Sequence, residues 1–213
     1  MSTGKLTKII EKFEYPVEEK RNYIGASSIG SDCLRQIWYE FKGEKGEPVT
    51  NKLKRTWDIG KTLETYITNL LMDAGVSVCN RQLDCEDPEF PYFKGHMDGL
   101  LLDLVALLEI KTANDASFNI FVKNGVKKWN PKYYAQLQAY MGMSKVNSAY
   151  ILVLNKDNSD IWDELVLFDE VVYEKLKEKA RMIYEAQIPP PRINNSPIWF
   201  QCRVCKFKKV CHG

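Results

Sequence analysis

Apolar positions change period several times along the chain. Thr3 to Phe13 carries a weak helical pattern that Pro16 stops. A second helix is predicted to start near Ser31, whose hydroxyl can cap free N–H groups, and to run through Cys33, Leu34, Ile37 and Trp38 to Gly43. Gly43 to Pro48 reads as a loop. From about Asn51 to Ala74, the residues Leu53, Trp57, Gly60, Glu64, Ile67 and Leu71 recur at spacings of three and four. That predicts one long helix with Gly75 just past its end, and it puts an acid, Glu64, on the apolar stripe.

Beyond Gly75 the period shortens. Val76 to Cys85 alternates, and the acidic turn Glu86-Asp87-Pro88-Glu89 follows. Tyr92 to Leu102 and Val105 to Thr112 predict the two strands of a hairpin turning near Asp103 and Leu104. Asn130-Pro131 has the form of a helix start, with Asn as cap and Pro at the first helical position, and that helix reaches about Met143. Ala149 to Leu154 and Ile161 to Phe168 are two further strands. Asp169 opens a charged helix to about Ala186, which Pro189-Pro190-Pro191 breaks. This order predicts an α/β fold, a central mixed sheet flanked by helices. There is no GxxxxGK[ST] and no GxGxxG opening a helix after a strand, so a nucleotide-binding fold is not indicated. The chain divides into an N-terminal segment, 1–26, a core, 27–188, and a cysteine-bearing tail, 189–213.

Composition adds limits. The chain has 213 residues, 45% of them hydrophobic and 27% charged, which excludes a disordered or collagen-like chain. No apolar run reaches the roughly 18 residues of a membrane span, and the N-terminus lacks the apolar core of a secretory signal. A cytoplasmic location is therefore expected, or a host's cytoplasm if the source is viral. In that reducing compartment the six cysteines point to metal binding or burial rather than a disulfide framework.

The densest chemistry lies in Gly95-His96-Met97-Asp98-Gly99 and Leu108-Glu109-Ile110-Lys111-Thr112. Glu109 and Lys111 are two apart on a strand and project from one face. Their neighbours Leu107, Leu108 and Ile110 are apolar, so both charges need partners. Asp98 and Glu109 on adjacent strands form a hard oxygen site suited to Mg²⁺ or Mn²⁺, with Lys111 beside it to meet a phosphate or an attacking water. The bland alternative is a structural Asp and a solvent-facing Glu–Lys pair. On the Asn130 helix, Gln136 and Tyr140 lie one turn apart on one face.

Taken together, Asp98, Glu109-Ile110-Lys111 and Gln136-Leu137-Gln138-Ala139-Tyr140 resemble the PD-(D/E)XK nuclease superfamily, specifically its RecB-like exonucleases, from about Ser27 to Cys211. The resemblance implies a restriction-endonuclease-like core and a metal-dependent DNA exonuclease. It also implies that Asp98, Glu109 and the Ile110 carbonyl bind the metal, that Lys111 positions water and stabilises the phosphate, and that Gln136 and Tyr140 steady the site and the DNA backbone. The family often has a His in the helix before the sheet, in a GxxxH setting. Here Gly60 to Glu64 places Glu64 there as a candidate ligand.

Cys202 and Cys205 form a CxxC, followed by Cys211. Three thiols so close call for a metal and a fourth ligand. The residues themselves leave open whether it is His212, completing a Cys₃His zinc site, or the distant Cys33. The Cys33…Cys202-x-x-Cys205…Cys211 order, with Cys33-x-Arg35-x-x-x-Tyr39, resembles the iron–sulfur subset of RecB-like nucleases, which includes the CRISPR-associated RecB-like exonucleases and the AddB nuclease domain. That resemblance implies a [4Fe–4S] cluster on Cys33, Cys202, Cys205 and Cys211. Cys79 and Cys85 read as small buried residues.

The net charge of +2 is unevenly spread. Ala116 to Lys156 has six Lys and no acid, Ala186 to Gly213 has two Arg and three Lys and no acid, and Asp157 to Glu170 has six acids and no base. Basic stretches beside such a site suit sequence-nonspecific contact with single-stranded DNA or DNA ends. Trp129, Tyr133 and Tyr134, among lysines, read either as a stacking platform for bases or as core aromatics. No helicase motif is present, so unwinding would need a helicase or recombination partner. The rivals are a nuclease trimming spacer DNA for CRISPR adaptation, a non-catalytic DNA-binding module and a structural zinc protein.

Overall fold

The computed structural model describes residues 4–16, 21–79 and 81–213. The first helix, α1, is Lys5–Glu11; Thr3, where the pattern begins, lies outside the described residues. After the short strand β1 (Ile24–Gly25) and the one-turn helix α2 (Ala26–Ile29), α3 spans Leu34–Phe41. The cap of α3 is Cys33, not Ser31. Ser31 Oγ reaches only as far as the Cys33 N–H, at 3.4 Å. The long helix α4 is Asn51–Asp73, begun by Thr50, whose hydroxyl accepts from Leu53 N–H. Its buried stripe is narrower than the pattern implies. Ile67 is buried and Leu63 and Leu71 pack beside it, whereas Leu53 and Trp57 stay exposed, the first half of the helix being met by polar contacts from the segment around Glu11 and Phe13.

The strands form two sheets rather than one central sheet. The small sheet has the order β1-β4-β3, with β3 at Leu83–Glu86 and β4 at Phe93–Met97. The larger one has the order β2-β5-β6-β7-β8, with β2 at Val78–Cys79, β5 at Gly99–Leu101, β6 at Ala106–Ala113, β7 at Ser148–Asn155 and β8 at Ile161–Leu167. The expected strand Tyr92 to Leu102 is thus two strands, β4 and β5, parted at Asp98 and hydrogen-bonded into different sheets. The β5–β6 turn closes at Val105, in left-handed backbone at φ 47°. Strand β6 lies parallel to β7 and antiparallel to β5.

One helix was not predicted by periodicity. It is α5, Asp115–Trp129, bent where Gly125 takes φ 73°, a conformation open to glycine at little cost. Glu164 on β8 receives the N–H freed at the bend, from Val126, at 2.6 Å. Helix α6, Pro131–Ser144, is capped as predicted by Asn130, and α7 is Glu170–Glu185 with Asp169 as its cap. Alternation on β6 then sorts two cores. Leu107 joins the core against α5, α6 and α7, while Leu108 and Ile110 join Ile67 of α4 on the other side. The tail carries two short helices, α8 (Phe200–Arg203) and α9 (Lys208–His212). Among the described residues no helix is long and apolar enough to cross a membrane.

Candidate active site

The break between the sheets builds the site. Register places Gly99 opposite Leu108, so a continuing β5 would set Asp98 opposite Glu109 and Met97 opposite Ile110. The chain departs into the other sheet instead. The Asp98 carboxylate takes the vacated partner's role, its Oδ2 accepting from Ile110 N–H at 2.8 Å. Burial pushes the Asp98 carboxyl above its usual range, against the lowering pull of Lys111 and of the Ile110 N–H.

Glu109 is on the central strand with only 1% of its surface exposed. Lys111 lies two residues on, in ion-pair contact with Glu109 Oε1. Even so, neither Glu109 oxygen receives an aligned hydrogen bond. Burial lifts the Glu109 carboxyl to about 8, with Lys111 opposing and Asp98 adding to the rise. For Lys111, burial works downward, but the charges of Glu109 and Asp98 win and hold the ammonium above the usual lysine range. The Lys111 ammonium also lies 5.2 Å from the ring centre of Tyr133.

Helix α6 supplies the wall of the site. Gln136 and Tyr140 are both buried, and Gln136 Nε2 donates to Tyr140 Oη at 2.8 Å. Burial raises the Tyr140 hydroxyl, and the nearby Glu109 raises it further. The ring sits close against β4 because residue 95 is glycine. A Cβ there would lie 2.4 Å from Tyr140 Cε1 and 2.9 Å from Ala26 Cβ.

Glu64 comes from α4, on the other side of the large sheet, and meets the site through a residue that sequence reasoning missed. Gln82 Nε2 donates to Glu64 Oε1 at 2.6 Å and reaches Asp98 Oδ1 at 3.4 Å. Gln82 sits in left-handed backbone at φ 54°, just before β3. No periodicity marks such a residue. Burial, and then the Asp98 charge, raise the Glu64 carboxyl, while Lys111 and Gln82 lower it. The structure therefore brings Glu64, Asp98, Glu109, Lys111, Gln136 and Tyr140 into one neighbourhood.

Among the described residues no three His, Cys, Asp or Glu side chains are arranged as a ready-made ion site. In the acid cluster, protein partners turn the ligands aside: Asp98 onto Ile110 N–H, and Glu64 onto Gln82. The donor set nonetheless fits a divalent cation. A buried carboxylate with one oxygen unpartnered and the other met only by an ammonium is costly as it stands, and hard oxygen donors are what Mg²⁺ or Mn²⁺ takes.

The aromatics proposed for stacking are mostly committed inward. Trp129 packs on Phe121 and Tyr133 and donates from Nε1 to Ser117 at 2.8 Å, and Tyr133 and Tyr134 pack against the main core. Of the two spare cysteines, Cys85 is buried, and desolvation pushes its thiol up to about 12, while Cys79 is half-buried.

A second cluster lies where the tail meets α3. Cys33, Cys202, Cys205 and Cys211 line one open pocket, together with Arg35, Tyr39 and His212, though no three among these thiols and His212 are arranged as a ready-made ion site. Arg35 donates to the carbonyls of Pro190 at 2.5 Å and Pro189 at 3.4 Å, and its Nη1 lies 3.8 Å from Cys211 Sγ. Tyr39 packs on Phe207, which is only 2% exposed. His212 Nε2 is buried without a partner.

No protein-family model matches the chain, and no curated protein is similar to it in sequence. Solved structures do resemble it. The alkaline exonuclease LHK-Exo from Laribacter hongkongensis superposes with TM-score 0.61 at 16% identity, over 78% of this chain and 87% of that one. The same exonuclease in complex with dAMP gives 0.61 at 17% identity, over the same shares. SSO0001 gives 0.58 at 17% identity over 98% of this chain and 96% of that one. A phage related exonuclease from Haemophilus somnus 129PT gives 0.57 at 14% identity over 76% and 91%. The likeness is one of fold. This chain has an exonuclease-like α/β fold of mixed sheets flanked by helices.

Proposed function

We propose that the chain is a divalent-metal-dependent DNA exonuclease that hydrolyses phosphodiester bonds in single strands or at DNA ends. The observation that carries this reading is Glu109, buried between Asp98 and Lys111 with Oε2 unpartnered and Oε1 met only by the Lys111 ammonium. The fold shared with solved exonucleases, one of them holding dAMP, supports the choice of substrate.

Asp98, Glu109 and the Ile110 carbonyl would hold Mg²⁺ or Mn²⁺, which supplies Lewis acidity toward a phosphate oxygen and toward water. Lys111 keeps its positive charge through the neutral pH range and orients water beside the attacked phosphate. Tyr133 holds the ammonium from its other side. Gln136 and Tyr140, bonded to each other, form a rigid wall next to Glu109. Glu64 acts through Gln82 on Asp98 and so orients a ligand. Strand separation would come from a helicase or recombination partner, in recombination, repair or replication. Trimming of spacer DNA would use the same chemistry. A time course on end-labelled single- and double-stranded DNA with Mg²⁺, Mn²⁺ or EDTA tests the reading. Wild type should digest from an end only with metal, and Asp98→Ala and Lys111→Ala should be inactive though folded. Full cleavage by folded Lys111→Ala would overturn it.

For the tail, the reading is a [4Fe–4S] cluster on Cys33, Cys202, Cys205 and Cys211. It is supported by all four thiols lining one open pocket. A second reading, zinc on Cys202, Cys205, Cys211 and His212, is favoured by the unpartnered His212 Nε2. Iron, sulfide and zinc content of Cys33→Ser and His212→Ala, purified without oxygen, separates them. Loss of iron in Cys33→Ser alone supports the cluster, and loss of zinc in His212→Ala alone supports the local site.

A further inference from the structure

The small sheet sends a row of polar side chains to the face away from its core. On β4, Gly95 and Met97 are buried while Lys94 and His96 point outward; on β3, Cys85 is buried while Asp84 and Glu86 point outward. Register pairs Asp84 with His96 and Glu86 with Lys94 across the ladder. Tyr23, which leads into β1 on the other flank of β4, places its hydroxyl 3.1 Å from His96 Nε2. The Asp84 carboxylate contacts His96 Nδ1, and because a carboxylate only accepts, it fixes the proton there. Three elements thus converge in a chain Asp84–His96–Tyr23 that packing does not require: Asp84 and His96 are exposed. The Arg21 guanidinium lies 5.9 Å from the Tyr23 ring centre. The row leads into the candidate active site. Asp98 follows His96 by two residues, about 6.6 Å along extended backbone, and Gln82, which precedes Asp84 by two, touches Asp98.

We propose that Tyr23, held by His96 and Asp84, is a phosphate subsite for the nucleic-acid strand. Its hydroxyl donates to a non-bridging oxygen of a phosphodiester neighbouring the one that Asp98 and Glu109 serve. This inference rests on the nuclease reading and names the track its substrate follows. A phosphate oxygen is an acceptor only, so the subsite must present a donor. The hydroxyl is a rotor that now meets Nε2. It can turn outward to the phosphate while the exposed Nε2 is taken up by water. Arg21 adds positive charge at the same point. His96 and Asp84 are positioning residues of the unbound site: they hold the hydroxyl beside β4 until the phosphate takes over its hydrogen bond.

The test is equilibrium binding of a short fluorescein-labelled single-stranded oligonucleotide to the full chain in EDTA, where no cleavage occurs. Tyr23→Phe should weaken binding about fivefold, the scale of one hydrogen bond. His96→Gln and Asp84→Asn should lose less. A scan with single methylphosphonates along the oligonucleotide should find one position where neutralising the phosphate weakens wild type by a similar factor but leaves Tyr23→Phe unaffected. With Mg²⁺, the defect of Tyr23→Phe should lie in KM, not kcat. Unchanged affinity of folded Tyr23→Phe, or additive losses at every methylphosphonate position, would overturn the subsite. If Tyr23→Phe does not fold, the same non-additivity is sought with His96→Gln. Wild type that cleaves DNA while the subsite variants behave like it sinks this inference alone. Wild type that neither binds nor cleaves DNA sinks the nuclease reading as well.

Discussion

At the scale of single residues, the site trades stability for chemistry. Glu109 is raised to about 8 chiefly by desolvation. A carboxyl with a raised folded pKa binds more protons in the folded than in the unfolded chain between the two values. Its contribution to stability is complete below 4.5 and is lost as pH climbs to about 8. Asp98 and Glu64 are shifted in the same direction. In EDTA, the Tm should therefore fall by several degrees from weakly acidic to weakly basic buffer. Glu109→Gln should flatten that slope, raise the Tm at pH 8 and abolish cleavage; a slope unchanged in Glu109→Gln would place the titration elsewhere. Glu64 is predicted to act at one remove. Glu64→Gln should raise the Mg²⁺ concentration for half-maximal activity about tenfold, with a smaller effect on rate at saturating metal. An unchanged metal titration would make Glu64 a rim residue.

At the scale of elements, what matters is how closely α6 is seated on β4. The contact between Gly95 and the Tyr140 ring leaves no room for a methyl group. Gly95→Ala should cost about 1–3 kcal/mol by overpacking and should lower kcat more than KM, because it displaces the Gln136–Tyr140 wall beside Glu109. Thermal melts and steady-state kinetics check both halves. This contact also marks where sequence reading succeeds and stops. The Glu109–Lys111 spacing and the Gln136–Tyr140 spacing are local, two along a strand and four along a helix. Geometry over such distances follows from the residue order, and these pairs stand as read. The helices α4, α6 and α7 were legible from caps and period. The division at Asp98 was not, because alternation runs unbroken from Phe93 to Leu101 and only the pairing partners change. Helix α5 was hidden by Gly125, whose bend interrupts its period. Gln82 was hidden because its role depends on contacts 16 and 18 residues away across a turn.

At the scale of the whole molecule, the tail returns to the N-terminal part of the chain and is held there by unequal contacts. Lys206–Glu40 at 3.2 Å and Lys209–Glu47 at 2.8 Å are surface ion pairs, each worth at most about 1 kcal/mol and screened by salt. Arg35 is different. It is half-buried, and its guanidinium spans the carbonyls of Pro189 and Pro190, in the irregular chain beyond α7. Trp38 adds a bond from Nε1 to Ala186 O at 2.8 Å, so α3 grips the end of α7 and the start of the tail together. Removing Arg35 leaves these carbonyls to water and frees a tail whose own anchor is Phe207 against Tyr39. Arg35→Ala is thus expected to destabilise the fold by about 1–3 kcal/mol. It should also expose the 189–198 stretch to limited proteolysis, with cleavage there preceding any cut in the sheets. High salt alone should not reproduce this, since the surface pairs are the minor part of the contact. If Arg35→Ala resists proteolysis while moderate salt releases the tail, the ion pairs carry the docking, and the thiol pocket between α3 and α9 is held shut by charge rather than by Arg35.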